Sequence, residues 1–168
     1  MNLPPFNTFP ELHSQKILLR ELKQSDIPFL LEILTYDGKV AETLEEGMEI
    51  TERIHQNYLD GDTVNWVIEE LETHEPIGFI GFYRGFENKI GELGFILKSA
   101  FRGLGYMSPA LRLAAEFGIN RMELAQVIAI TRKENVKAIG VLELTDFEFL
   151  EELPEEYLKF RFIPKNNH

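Results

Sequence analysis

The segment FRGLGY at residues 101–106 is the most informative part of the sequence, because it joins a strand pattern to a helix pattern. Glycines at positions 103 and 105 let main-chain N–H groups turn toward one point. The helix that follows adds its own unpaired N–H groups and the positive end of its dipole, so the turn suits a phosphate or pyrophosphate. It is not a nucleotide P-loop, since no Lys-Ser/Thr pair follows Gly105, and the third glycine of a dinucleotide fingerprint is missing.

The chain before this turn has the pattern of a sheet. Thr63–Leu71, Ile77–Phe86 and Lys89–Leu97 are rich in β-branched and aromatic residues, and short turn-like segments separate them. Short connections between strands favour antiparallel neighbours. These three runs therefore predict an antiparallel meander.

The period of the sequence changes after the turn. Tyr106–Asn120 carries apolar residues at steps of three and four, which predicts an amphipathic helix. The other predicted elements are strands at Lys16–Leu22, Leu124–Thr131, Phe147–Glu151 and Tyr157–Ile163, and helices at Ile27–Leu34, Leu44–Tyr58 and Glu134–Leu144. This order predicts an α/β fold with a single mixed, mostly antiparallel sheet of about seven strands flanked by helices. We expect residues 1–168 to form one domain, with residues 1–15 as an extended arm.

The composition excludes several classes of protein and site. The 168 residues contain no cysteine, which rules out disulfides, thiolate metal sites and a cysteine nucleophile. No signal-peptide pattern and no apolar run of about 20 residues is visible, so we expect a cytoplasmic protein that does not enter a membrane. The 28 acidic residues against 17 basic ones give a formal charge of −11, which would repel nucleic acid. The same charge would concentrate a cationic ligand such as an amine, or would simply keep the protein in solution.

Several motifs together resemble the GNAT superfamily of acetyl-CoA-dependent N-acetyltransferases. Residues 102–107 (RGLGYM) are similar to its Arg/Gln-x-x-Gly-x-Gly/Ala loop, and Glu134–Ala138 is similar to its Asn-x-x-Ser/Ala helix. Thr145–Phe147 falls where a Leu-Gly-Phe segment of the family would lie. Leu19–Leu22 with Asp26 resembles the opening of the branch that includes ribosomal-protein N-acetyltransferases. The resemblance covers nearly the whole chain.

The resemblance implies a function and a set of binding residues. The protein would transfer an acetyl group from acetyl-CoA to a primary amine of a small molecule, a polyamine or a peptide N-terminus, through a tetrahedral intermediate. The loop N–H groups would bind the pyrophosphate, and the main chain of the preceding strand would pair with the pantetheine arm and stabilise the oxyanion. Asn135 would contact the pantetheine or order the neighbouring backbone. The residues implied to bind acetyl-CoA are Phe95, Ile96, Leu97, Arg102, Gly103, Leu104, Gly105, Tyr106, Met107 and Asn135.

The sequence departs from the family pattern at several positions. Met107 stands where a small residue would end the loop, Pro109 removes an N–H group from the first helical turn, and Asp146 replaces a glycine. Many relatives have a tyrosine seven residues after the asparagine, as the acid that protonates the leaving thiolate, but Leu142 stands there in this chain. The sequence therefore assigns no residue to that acid.

Glu92 is the first candidate for the general base, because it lies three residues before the implied thioester-binding strand segment. Tyr83 is a candidate for a hydrogen bond to the acceptor, and either Asp146 or the pair Glu69–Glu70 could select a cationic acceptor. The histidines show no spacing typical of a metal site or a catalytic triad, so we expect no bound metal. They are His13, His55, His74 and His168.

Two questions stay open at the level of sequence. The same fold could hold an acyl-CoA without turnover, as a sensor or interaction module, and the missing tyrosine is the feature that favours this alternative. No residue pattern decides between a monomer and a homodimer.

Overall fold

The structure, a computed structural model, describes residues 1–165, so His168 lies outside the described residues. The strands are β1 (Leu12–His13), β2 (Ile17–Arg20), β3 (Thr35–Tyr36), β4 (Lys39–Val40), β5 (Val64–Glu70), β6 (Pro76–Phe82), β7 (Ile90–Leu97), β8 (Gln126–Arg132), β9 (Phe147–Leu153) and β10 (Tyr157–Phe162). The helices are α1 (Ile27–Leu30), α2 (Leu44–Leu59), α3 (Met107–Asn120) and α4 (Val136–Leu144).

The main sheet has the strand order β1-β2-β5-β6-β7-β8-β10-β9. Neighbouring strands are antiparallel except for the parallel pair β7 and β8. This confirms the mixed, mostly antiparallel sheet and the predicted meander, which is β5-β6-β7. The predicted count of about seven strands is wrong, because β1 adds an eighth. It has two residues, with Leu12 paired to Leu19, and so short a run shows no readable alternation.

A small hairpin, β3-β4, forms a second sheet that the sequence analysis does not predict. Its strands have two residues each, and Asp37 and Gly38 make the turn between them with φ of +51° and +76°. Positive φ at both central residues is typical of the tight hairpin turn for which Asp-Gly is a strong signal. That dipeptide is the feature from which the hairpin could have been located.

Helix α3 packs on one face of the sheet through small residues. Ala110 and Ala114 are fully buried there, beside Trp66 and Phe82 of the sheet. Gly118 permits the closest approach, since a Cβ at this position would lie 2.8 Å from the Phe82 ring. The sequence period of α3 therefore places its small side chains against the largest ones of the sheet.

Helices α1 and α2 cover the opposite face. Leu30 and the neighbouring Ile33 pack against Val67 of β5 and Phe79 of β6. Val67 points away from its buried neighbour Trp66, because successive side chains of a strand alternate between faces. Within residues 1–165, no helix is both long enough and apolar enough to cross a membrane.

Candidate active site

Strands β7 and β8 are paired only over the first residues of β7 and then separate. Their parallel pairing joins Ile90 to Gln126, Gly91 to Val127, and Glu92 to Ile128, and there it ends. Beyond that point β7 stays paired only with β6, and β8 pairs with β10. The main chain of residues 95–97 therefore faces an opening on its β8 side. An extended ligand chain could add to this strand edge as a further strand would.

The glycine loop ends beside this opening and leads into α3. Gly103 and Gly105 have φ of +75° and +83°, the left-handed region in which glycine is favoured. Among the described residues, no acceptor pairs with the main-chain N–H groups of Gly103, Gly105, Tyr106 or Met107. The Tyr106 side chain does not cap the helix either. The loop thus leaves these donors free at a helix N-terminus, as an anion site requires.

Arg102 is partly engaged within the protein. Its main-chain N–H donates to the Ser99 carbonyl over 3.4 Å, and its side-chain Nε donates to the Leu97 carbonyl over 3.1 Å. The guanidinium therefore ties the loop to the end of β7 while its Nη groups keep further donors.

Lys16 is a loop contact that the sequence analysis did not find. Its Nζ donates to the Leu104 carbonyl over 3.2 Å and lies 5.1 Å from the centre of the Tyr106 ring. The residue precedes β2, and nothing local in the sequence connects it with a loop 88 positions away. The fold thus adds a second cation to the loop that already carries Arg102.

Asn135 caps helix α4. Its side-chain Oδ1 accepts a hydrogen bond from the Ala138 N–H over 3.2 Å, which orders the first turn of the helix. Leu142, at the position of the family tyrosine, is completely buried. Asp146 has φ of +66° and so keeps the left-handed conformation that glycine would adopt more easily. Its carboxylate lies 3.4 Å from Lys165 Nζ.

Glu92 lies at the point where β7 and β8 separate. Its side chain is 12% exposed, and its Oε2 accepts a hydrogen bond from the Tyr83 hydroxyl and lies 3.6 Å from Arg84 Nε. Its Oε1 has no hydrogen-bond partner among residues 1–165. One carboxylate oxygen is therefore held in place, and the other is open to an amine or a water molecule.

Tyr83 is held over Gly94, where a Cβ would lie 2.8 Å from the ring. Burial, together with the hydrogen bond to Glu92, raises the pKa of Tyr83 to about 12. The hydroxyl therefore stays protonated near neutral pH and acts as a donor that orients Glu92.

Of the acidic pair considered in the sequence analysis, Glu70 reaches the glycine loop, since its Oε1 accepts a hydrogen bond from the Tyr106 hydroxyl over 3.3 Å. Glu69 pairs with Arg20 beneath α1, and Glu70 accepts hydrogen bonds from Thr73. His74 lies 3.3 Å from Glu69. In the described part of the chain, no group of three or more His, Asp or Glu side chains is arranged to hold a metal ion.

A pocket of about 660 Å³ lies on the face of the sheet that α1 and α2 cover. It reaches the β7 main chain at residues 94–96 and the side chain of Tyr83. Its other walls come from the β3-β4 hairpin, α2, β5 and β6. The volume is in the usual range of a small-molecule site. The pocket therefore adjoins the same strand segment that borders the opening between β7 and β8.

Comparison with known proteins agrees with this geometry. The family model of the acetyltransferase (GNAT) domain matches residues 16–148, which is most of the chain. The chain belongs to the GNAT family. It is an N-acetyltransferase, and enzymes of this family take their acetyl group from acetyl-CoA.

Individual GNAT proteins are similar along most of the chain. YnaD of Bacillus subtilis, an uncharacterized N-acetyltransferase, is 27% identical over 133 residues, which span 77% of this chain and 78% of YnaD. A Vibrio cholerae structure provisionally assigned as a ribosomal-protein-serine acetyltransferase aligns with a TM-score of 0.80 and 17% identity, over 98% of this chain and all of that one.

A chimera of the Vibrio cholerae spermidine N-acetyltransferase SpeG aligns with a TM-score of 0.72 and 18% identity. The alignment covers 89% of this chain and 96% of the chimera. At such identities the two Vibrio structures show the fold alone, and the match of the family model confirms the resemblance found in the sequence.

Proposed function

We propose that the enzyme transfers the acetyl group of acetyl-CoA to a primary amine of a small molecule, a polyamine or a peptide N-terminus. The observation that carries this proposal is the continuity of three features along β7. The free loop donors follow the end of the strand, the unpaired strand edge lies before them, and the pocket bordered by Tyr83, the hydrogen-bond partner of Glu92, opens on the same segment.

Acetyl-CoA is expected to lie along the end of β7, with its diphosphate at the glycine loop and its thioester toward Glu92. The diphosphate would accept hydrogen bonds from the loop N–H groups, with Lys16 and Arg102 adding positive charge. The pantetheine arm would pair with the main chain of residues 95–97, so that the thioester reaches the vicinity of Glu92. An N–H group of the same segment would stabilise the oxyanion.

The reaction begins with removal of a proton from the amine. An alkylammonium with a pKa of about 10.4 is neutral in roughly one molecule in 2,500 at pH 7, a deficit of about 4–5 kcal/mol. Glu92 Oε1 would take that proton, directly or through a water molecule, while Tyr83 holds Oε2. The amine nitrogen then bonds to the thioester carbon, which becomes tetrahedral.

Collapse of the intermediate breaks the C–S bond and releases the amide. The sulfur leaves as a thiolate, and a thiol pKa of about 8.5 makes it an adequate leaving group with water as the proton source. Leu142 supplies no proton, since it is a buried hydrocarbon side chain. The nitrogen thus gives one proton to Glu92 before the attack and loses a second one to water as the intermediate collapses, while the thiolate takes a proton from water, so that the transfer balances with the net release of one proton.

Thiol release tests this function. The protein is mixed with acetyl-CoA and a panel of primary amines, and free CoA thiol is measured against a control without amine. Amine-dependent release is the expected result. Binding of CoA without release for any amine would favour the alternative, an acyl-CoA sensor on the same fold, and absence of CoA binding would contradict both.

Glu92→Gln tests the proposed base. We expect kcat to fall by about 10²–10⁴-fold, because the amide cannot accept the proton. The rate of the variant should also lose the dependence on pH that the carboxylate imposes. Tyr83→Phe is the matched control, since it removes the hydrogen bond but keeps the carboxylate, and a smaller loss is expected. An unchanged pH profile in Glu92→Gln would remove Glu92 from this role.

A further inference from the structure

The pocket bordered by Tyr83, which donates a hydrogen bond to Glu92, contains neutral polar groups that have no partner in the described part of the protein. The side-chain oxygen of Thr63 is buried without a hydrogen-bond partner in the described part of the chain, and the residue is 5% exposed. Asn65 and Asn57, both half-buried, also line the pocket, and their amides have no partner within residues 1–165. Buried polar groups of a native protein are normally paired, so the Thr63 oxygen is an exception, whereas the two amides are partly exposed and keep donors and acceptors for a ligand that enters the pocket.

Asn65 has a defined place in this pocket. It lies opposite Gly81 in the β5-β6 pairing, and a Cβ at Gly81 would come within 2.3 Å of its Oδ1. The glycine therefore makes room for the asparagine side chain above the sheet. Thr63 shares this face, since it is two residues before Asn65 along the strand direction.

The charges around the pocket do not favour a ligand with several cationic groups. Among its lining residues, only Asp37 and Arg84 carry full charges, and these are of opposite sign. Arg53 lies 5.0 Å from the centre of the Tyr36 ring, and Arg84 lies 5.3 Å from that of Tyr83. Two aromatic faces that could hold a second ammonium group are thus already taken by guanidinium groups, which would repel it.

The remaining walls of the pocket are apolar. Ile33, Leu34, Ile54, Phe79 and Ile96 contribute to them. These surfaces suit a hydrocarbon side chain, whereas carboxamide and hydroxyl groups suit a neighbouring amide, which both donates and accepts hydrogen bonds.

We infer that the acceptor is an α-amino amide with an apolar side chain and no second cationic group. This inference rests on the proposed function and narrows its acceptor. The amide of the ligand pairs with Asn65, Asn57 and Thr63, the side chain fills the apolar part, and the amine is directed toward Glu92. A free amino-acid amide and the N-terminus of a peptide share this chemistry.

The test compares matched amines. Leucinamide and 3-methylbutylamine share a branched side chain and differ by the carboxamide, spermidine represents the polyamines, and Leu-Gly amide represents a peptide N-terminus. The expected order of kcat/KM places leucinamide or Leu-Gly amide first and spermidine last. A higher kcat/KM for leucinamide would indicate a free amino-acid amide as the acceptor, and a higher kcat/KM for Leu-Gly amide would indicate the N-terminus of a peptide.

Isosteric variants show whether the unpaired groups cause this preference. Asn65→Leu and Thr63→Val should each reduce the kcat/KM ratio of leucinamide to 3-methylbutylamine, by about tenfold for Asn65→Leu. The different amine pKa values cancel because the same two amines are compared in every variant. Thr8→Val, an exposed position of the N-terminal arm, is the control and should leave the ratio unchanged. Thr63→Val should also keep or raise the melting temperature, since the hydroxyl has no partner to lose.

A measurement of leucinamide binding distinguishes failure of this inference about the acceptor from failure of the proposed acetyl transfer. Leucinamide is titrated into the protein with CoA, which cannot transfer an acetyl group, and the side-chain amide resonances of Asn57 and Asn65 are followed by NMR. Shifts in these resonances support the inference even if no amine is acetylated. Preferred acetylation of spermidine, with an unaltered amine ratio in both variants, would overturn the inference while leaving the proposed function intact. Absence of leucinamide binding and turnover would overturn it as well.

Discussion

Two groups of polar side chains lie on the same face of the sheet and differ in one respect. Beneath α1, Arg20 contacts Asp26 through two hydrogen bonds of 2.7 and 2.8 Å and contacts Glu69 through a third of 2.8 Å. In the pocket, Thr63 and Asn65 have no partner within residues 1–165. Arg20 lies opposite Val67 in the β2-β5 pairing, so the same strand, β5, contributes to both groups.

The presence or absence of a partner within the protein distinguishes polar groups that stabilise the fold from polar groups that bind a ligand. A buried charge without a partner costs several kcal/mol, so the Arg20 cluster must be complete in the folded protein itself. A neutral hydroxyl or amide without a partner costs less, and a protein can retain it where a ligand supplies the missing hydrogen bond. The free loop donors at the N-terminus of α3 belong to the second class. Substitutions of the paired groups around Arg20 should therefore lower the free energy of unfolding, and substitutions of the groups without a partner should weaken ligand binding.

Arg20→Met should have the largest effect. It leaves Asp26 and Glu69 as buried carboxylates without a cation, which we expect to lower the free energy of unfolding by about 3–5 kcal/mol. Urea denaturation measures this change. Lys137→Met, at an exposed position of α4, is the control and should change it by less than about 0.5 kcal/mol. A loss for Arg20→Met as small as that of the control would contradict the structural role of the cluster.

Gly103→Ala tests the loop against a matched glycine. Gly103 and Gly85 have φ of +75° and +72°, and neither has an atom within 4 Å of an added Cβ. Alanine at either position should therefore cost a similar 1–2 kcal/mol of stability or less, about the cost of the left-handed conformation. Only Gly103→Ala should weaken CoA binding, by about tenfold, because its loop then turns its N–H groups differently. Equal CoA affinities in the two variants by calorimetry would be evidence against the loop as the diphosphate site.

Lys16→Met should have a smaller effect on the same ligand. We expect CoA affinity to fall by about three- to tenfold at low salt, since one exposed cation is lost near the diphosphate. The difference from the unsubstituted protein should shrink as the salt concentration rises. A salt-independent loss would instead indicate that Lys16 acts by packing on Tyr106.

Lowering the pH should reduce the stability that the interaction of Arg20 with Glu69 contributes, because Glu69 becomes protonated. Burial by itself would raise the pKa of Glu69, but the hydrogen bonds from Arg20 and His74 outweigh it and lower the pKa below its ordinary value of 4.5. A lowered folded-state pKa contributes stability that is complete above 4.5 and is lost as the pH falls through the folded value. Urea denaturation between pH 6 and 3 should therefore show a shallower acid loss in Glu69→Gln than in the exposed control Glu148→Gln.

The sheet and the loop were predictable because their signals are local. Alternation and the step of three and four residues mark β5 to β7 and α3, and two glycines before a helix mark the loop. The strand count and the β3-β4 hairpin were missed because runs of two residues are too short to show a period. Lys16 and the pocket groups were missed for another reason, since contacts between distant parts of the chain leave no local pattern.

The free N–H groups before α3 can be tested directly by NMR. CoA is titrated into ¹⁵N-labelled protein, and the amide resonances are followed. The account predicts large downfield shifts for Gly103, Gly105, Tyr106 and Met107, with smaller ones along residues 95–97 and none for Gly85. CoA binding that leaves the four loop amides unshifted would contradict it.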